Sequence, residues 1–174
     1  MKDPTIQLWA EDEVHFQRHS TIIRMWSPKG QQPCVISAST RQKMGFFGAI
    51  NLKTGSLLTQ KSSPFNADTF KEFLHHLLQN TRGKTFLILD NAKRHKAREL
   101  KTFFIENQNR LVRIFLPPYS PELNPIERVW RITRRQITHN RYFESIEDLE
   151  IALTSYFTKW ERPNNTLKVL CANI

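Results

Sequence analysis

The stretch TFLILD, Thr85 to Asp90, is a continuous apolar run, too short for a helix, that ends in a carboxylate. A strand covered on both faces requires such a run, whereas a strand with one wet face alternates. Upstream, from Ala67, the residues Phe70, Phe73, Leu74, Leu77 and Leu78 keep the spacing of an amphipathic helix, with Gly83 as a stop just beyond. Downstream, KARELKTFFIENQ reads as a second helix and LVRIFLP as another buried strand. Strand, helix and strand in alternation demand parallel pairing with right-handed crossovers.

The first part of the chain has a different rhythm. TIQLWAED, Thr5 to Asp12, is a strand candidate that ends in acids, and RMWSPKGQQP reads as a loop. CVISAST, GFFGAIN and GSLLTQ are short, β-rich and divided by turn-like pieces, so they are expected to follow the first strand in an antiparallel meander. A third helix opens at Glu127. A fourth starts at Ser145, where Ser145 and Asp148 supply the cap and Ile146, Leu149, Leu153, Tyr156, Phe157 and Trp160 the apolar face. The predicted class is therefore α/β, a mixed sheet flanked by helices, in the arrangement of a ribonuclease-H-like fold. With no internal repeat and no Gly/Ser linker, residues 1–174 are expected to form one domain.

Composition bounds what such a domain can do. No apolar run approaches the roughly 20 residues that cross a bilayer, and MKDPTIQLW lacks the layout of a signal peptide, which predicts a soluble, cytoplasmic protein. Cys34 and Cys171 are expected to be buried, reduced thiols. His15 with His19, and His75 with His76, have no partners that would make a zinc site and read as surface or packing histidines. The 26 Lys and Arg against 16 Asp and Glu give a formal charge of +10, which predicts attraction to a polyanion.

Three acids stand where such a sheet binds ligands. Asp12 and Asp90 are expected at two strand ends and Glu127 in the first turn of a helix, and α/β sheets bind ligands beyond the carboxyl ends of their parallel strands. Each acid also has a purely structural reading. Asp12 could cap a turn and Asp90 could form an Asx-turn with Asn91. In LPPYSPELNPIERVW, Leu116 to Trp130, Asn124 fits an N-cap, Pro125 the first helical position and Glu127 the third residue of a capping box. Converging carboxylates raise one another's pKa unless a cation joins them. Hard oxygen ligands without Cys or His suit magnesium or manganese, and two such ions roughly 4 Å apart support in-line phosphoryl displacement. Basic residues follow two of the acids: Lys93, Arg94, Lys96 and Arg98, with His95 among them, after Asp90, and Arg131, Arg134 and Arg135 after Glu127. A solvated basic face explains either run alone. Two runs, each attached to a candidate metal ligand, are placed to hold a polynucleotide backbone.

These motifs together resemble the catalytic domain of a mariner-superfamily transposase, in its bacterial insertion-sequence branch with a DDE triad. The matching residues are EDE at 11–13, WSPKGQQP at 26–33, LILDNAKRHK at 87–96 and LPPYSPELNPIERVW at 116–130, and they span most of the chain. The resemblance implies that Asp12, Asp90 and Glu127 are the three catalytic, metal-binding acids. It selects Asp12 from Glu11, Asp12 and Glu13 because the family has Asp followed by Glu; on an extended strand Glu11 and Glu13 point away from Asp12. Thirty-six residues separate Asp90 from Glu127, slightly more than in common members. The implied chemistry is magnesium- or manganese-dependent cleavage of transposon-end DNA and strand transfer into target DNA, in a homodimer within the bacterial cytoplasm and nucleoid. Family members carry helix-turn-helix modules ahead of the catalytic part; here they are expected to be absent, or supplied by a partner chain. The competing readings are another ribonuclease-H-like nuclease and a non-enzymatic fragment that binds DNA or inhibits an intact transposase.

Overall fold

The structure is a computed structural model that describes residues 5–92, 95 and 97–172. Five strands form one mixed sheet: β1 (Ile6–Gln17), β2 (Lys43–Asn51), β3 (Leu57–Lys61), β4 (Lys84–Leu89) and β5 (Leu111–Phe115), in the order β3-β2-β1-β4-β5. The first three are antiparallel neighbours, and β4 and β5 join in parallel. Helices α1 (Ala67–Gln79) and α2 (Leu100–Glu106) connect the parallel strands; α3 (Ile126–Thr133), α4 (Ile146–Thr158) and α5 (Asn165–Ala172) follow β5.

Each face of the sheet buries its own core. Ala10, Val14 and Phe16 of β1 pack with Ile126, Val129 and Trp130 of α3 and with Leu149, Leu153 and Phe157 of α4. On the opposite face Trp9 joins Phe47, Leu87 and Leu89 against Phe70, Phe73, Leu74 and Leu77 of α1 and Phe103 of α2. The run TFLILD is thus divided between the two cores: Leu87 and Leu89 are fully buried on one side and Ile88 packs against the other. The expected start of α4 holds, and α1 begins on a cap the sequence reading did not name. Asn66 caps α1, and the Ser145–Asp148 capping box closes reciprocally at α4.

Several expectations are corrected. CVISAST forms no strand, and the chain from Arg18 to Gln42 is almost entirely irregular; Ile36, at 71% exposed, buries little of its apolar surface. The first strand does not stop at Asp12. It runs on to Gln17 because β2 pairs antiparallel with Trp9–Gln17, whereas the parallel pairing with β4 ends at Ala10. LVRIFLP is not a buried strand: β5 is the sheet edge, with Arg113, Ile114 and Phe115 exposed. The second helix spans only Leu100–Glu106, and α5, which was not expected although Asn164 caps it by accepting the Leu167 amide at 2.8 Å, covers the α3 side. Cys171 is buried as expected but Cys34 is exposed, and both are free thiols.

Candidate active site

The parallel register of β1 with β4 pairs Ala10 with Ile88. Extended by two residues, it brings Asp12 level with Asp90, just beyond the carboxyl end of the pairing, where such sheets bind ligands. Side chains alternate along β1, so Asp12 shares the α3 face with Ala10 and Val14, while Glu11 and Glu13 project to the α1 face. From α3, Glu127 reaches the same place. Asp12, Asp90 and Glu127 all line one cavity of about 460 Å³, together with Asn91, Tyr119 and Asn124.

Asp12 is held in position by Trp130, whose indole Nε1 donates to Oδ2 at 3.2 Å. The indole can lie there because Gly48 stands opposite Asp12 in the β1–β2 register; a Cβ at Gly48 would overlap the Trp130 ring, lying 2.7 Å from Cζ2. Burial, and then the charges of Glu127 and Glu13, push the Asp12 pKa up to about 7, against smaller help from hydrogen bonds to the Glu13 backbone and Trp130. Asp90 accepts the Ala92 amide at Oδ1 (2.8 Å), so an Asx-turn does form, with Ala92 rather than Asn91. The same oxygen is 2.8 Å from Nδ1 of His95.

The capping box at Asn124 does not form. No side chain caps α3, and the buried Asn124 amide instead donates through Nδ2 to the carbonyl of Glu11 at 2.9 Å. The Pro125 ring and a short 3₁₀ turn, Pro121–Leu123, start the helix without a side-chain oxygen. Asn124 therefore ties the beginning of α3 to the β1 backbone one residue before Asp12. Asn91 makes the matching tether on the other strand, donating to the Leu116 carbonyl. Glu127, free of a capping bond, faces the cavity.

The basic residues are only partly together. Arg131 and Arg135 are exposed. Arg134 is half-buried, with its guanidinium 5.6 Å from the Phe16 ring, because α3 gives way at this point to a π-helical turn, Arg134–Thr138. Lys93, Arg94 and Lys96 lie outside the described residues. Sequence reasoning missed Gly48, Trp130 as a donor to Asp12, and His95 as more than one member of a basic run. Only the glycine opposite an acid, in a strand otherwise rich in phenylalanine, was a signal for the first two.

The matches with known proteins agree with this geometry. The model of the family described as DDE superfamily endonuclease matches residues 7–150. The insertion element IS630 uncharacterized 39 kDa protein of Shigella sonnei is 33% identical over 144 residues, 82% of this chain and 42% of the relative, so the chain spans less than half of that protein's length. The Mos1 mariner paired end complex with Mn superposes with a TM-score of 0.69 at 17% identity, over 94% of this chain and 51% of that one. The catalytic domain of Mos1 mariner transposase gives 0.63 at 16% identity, over 98% and 78%. At these identities the structural likeness concerns the fold, which is ribonuclease-H-like. With the family model covering the cavity and all three of its acids, the chain belongs to the DDE superfamily endonucleases.

Proposed function

We propose that the chain is the catalytic domain of a cut-and-paste transposase, with Asp12, Asp90 and Glu127 as the ligands of its metal ions. The observation that carries this reading is the convergence of three carboxylates, from within β1, from the end of β4 and from the first turn of α3, on a single cavity. Divalent metal use belongs to the family; magnesium or manganese, as two ions, is the reading the donors favour. They are hard oxygens with no thiol among them, and Asp12, whose pKa is raised first by burial and then by Glu127 and Glu13, is a carboxylate whose ionised form a bound cation would favour. When bound, such ions lower the pKa of an attacking water or hydroxyl and stabilise charge on the leaving oxygen.

The residues of the chain do the rest. The β1–β4 register, the Trp130 indole and the two asparagine tethers hold the acids in place before substrate arrives, which is how a preorganised site lowers a barrier. A water oxygen attacks the scissile phosphorus and the 3′ oxygen departs, taking up a proton as a free 3′ hydroxyl. That hydroxyl loses its proton as it attacks a target phosphodiester, and the target's own 3′ oxygen leaves. Exposed Arg131 and Arg135, with Arg134 and the lysine-rich run of Lys93, Arg94 and Lys96, serve the DNA backbone rather than the base sequence. Recognition of transposon ends is assigned to helix-turn-helix modules outside these 174 residues, and the active complex to a homodimer. Supercoiled plasmid nicking with magnesium tests the reading. Asp90→Asn and Glu127→Gln variants with wild-type melting temperatures should lose nicking, and retention of metal-dependent nicking by either would refute it.

A further inference from the structure

His95 is fully buried and lies against the Phe70 ring, 4.5 Å between centroids, on the α1 side of the sheet. It does not line the cavity of the three acids, so it cannot touch substrate there. Both of its ring nitrogens nonetheless face carboxylates. Nδ1 is 2.8 Å from Asp90 Oδ1, and Nε2 is 3.2 Å from Glu13 Oε1 and 3.7 Å from Glu11 Oε2. An ionised carboxylate only accepts, so in the short contact with Asp90 it is Nδ1 that donates. Glu11, Glu13 and His95 bring ligand-competent atoms within 4.8 Å of one another, so the ring is flanked by carboxylates on this side as well.

We propose that His95 is a positioning residue: anchored on Glu13 through Nε2, it clamps Asp90 through Nδ1 and so fixes the carboxylate orientation needed for metal binding in the cavity on the other face of the sheet. This rests on the reading of Asp90 as a metal ligand. The Ala92 amide holds the same Oδ1 from the chain itself, but an Asx-turn alone leaves the carboxylate some freedom to rotate about Cα–Cβ, and a second, buried donor removes that freedom. Partners of this kind orient ligands and typically change metal affinity about 10- to 100-fold when removed.

The two amides that imitate a histidine separate this role from packing. The asparagine amide falls near Nδ1 and can still donate to Asp90; the glutamine amide falls near Nε2 and keeps only the Glu13 side. Manganese affinity is measured by calorimetry on the whole chain, with melting temperature in parallel. His95→Asn should bind manganese within about threefold of wild type, and His95→Gln at least about tenfold more weakly, although both lose the same ring. Equal affinities in the two variants, with Asp90→Asn abolishing binding, would overturn the clamp and leave the ligand assignment standing. Unchanged binding in Asp90→Asn would overturn both. Should neither histidine variant fold, nitrogen-15 spectra of wild type decide the matter: a proton on Nδ1, with its signal displaced by magnesium, is expected, and an unprotonated or unresponsive Nδ1 refutes the clamp.

Discussion

Replacing Asp12 by Asn should make the metal-free chain more stable, and increasingly so as the pH rises. In the folded chain the Asp12 pKa is raised from 3.8 to about 7, first by burial and then by Glu127 and Glu13. Ionising it therefore costs more in the folded state than in the unfolded state. For an acid shifted upward, folding stability is greatest below the unfolded value and is lost as the pH rises through the folded one. Between pH 6 and pH 8 the loss from this group grows by about one pKa unit, or about 1.4 kcal/mol. For a chain of this size that is roughly 3–6 °C in melting temperature. His95 runs in the same direction across this window. Burial works against its charge, but the bonds to Asp90 and Glu13 and the nearness of Glu11 outweigh that and push its pKa up to about 10. Its contribution is full below 6.5 and is lost as the pH rises through about 10. Wild type and Asp12→Asn share His95, so only the difference between their melting curves reports Asp12. That difference should widen from pH 6 to pH 8 in EDTA, and excess magnesium should shrink or reverse it by stabilising wild type alone. Parallel curves at every pH, or equal gains from magnesium in both proteins, would refute the account of Asp12 as a carboxylate awaiting a cation.

Other substitutions probe how the acids are held. Gly48→Ala sets a methyl into the Trp130 ring and should cost about 1–3 kcal/mol in urea unfolding, as overpacked cores do, while weakening manganese binding by breaking the indole bond to Asp12. Asn124 distinguishes a cap from a tether. An N-cap tolerates Asp, whereas the observed bond from Nδ2 to the Glu11 carbonyl needs a donor; Asn124→Asp should therefore be less stable than Asn124→Ala, itself down by about 1–3 kcal/mol. Equal stability of Asp and wild type would restore the capping box. Arg131→Glu with Arg135→Glu should weaken DNA binding alike for all sequences and lower the salt slope by about one for each phosphate that is no longer neutralised; an unchanged slope would place the DNA elsewhere.

What the sequence could and could not show follows from how local each feature is. Helix periods, the Ser145 cap and the unbroken TFLILD run depend on neighbours a few residues apart, and the structure keeps all of them. Edge and centre are decided by strand order, so LVRIF, apolar enough for an interior position, lies at the edge instead, and CVISAST has β-forming residues but pairs with neither edge of the sheet. Asp12, inside β1, was singled out only by the resemblance, whereas Asp90 and Glu127 were legible because a strand end and a helix start leave local marks. Their support was not, since Trp130, Gly48 and Asn124 act across the sheet on residues more than thirty-five positions away. His95 is the instructive case. Within NAKRHKAR it looks like one base among several, yet a lysine or arginine in that place would carry a long side chain and a permanent charge into a buried site. Histidine offers two donors at opposite ends of a compact ring, which is what a position between Asp90 on one side and Glu13 on the other demands. The alternation of Glu11 and Glu13 about Asp12 already implied two acids on the far face of β1, and a buried pair of carboxylates must find a cation. The sign and the face could have been inferred from the sequence; the residue that answers them required the fold.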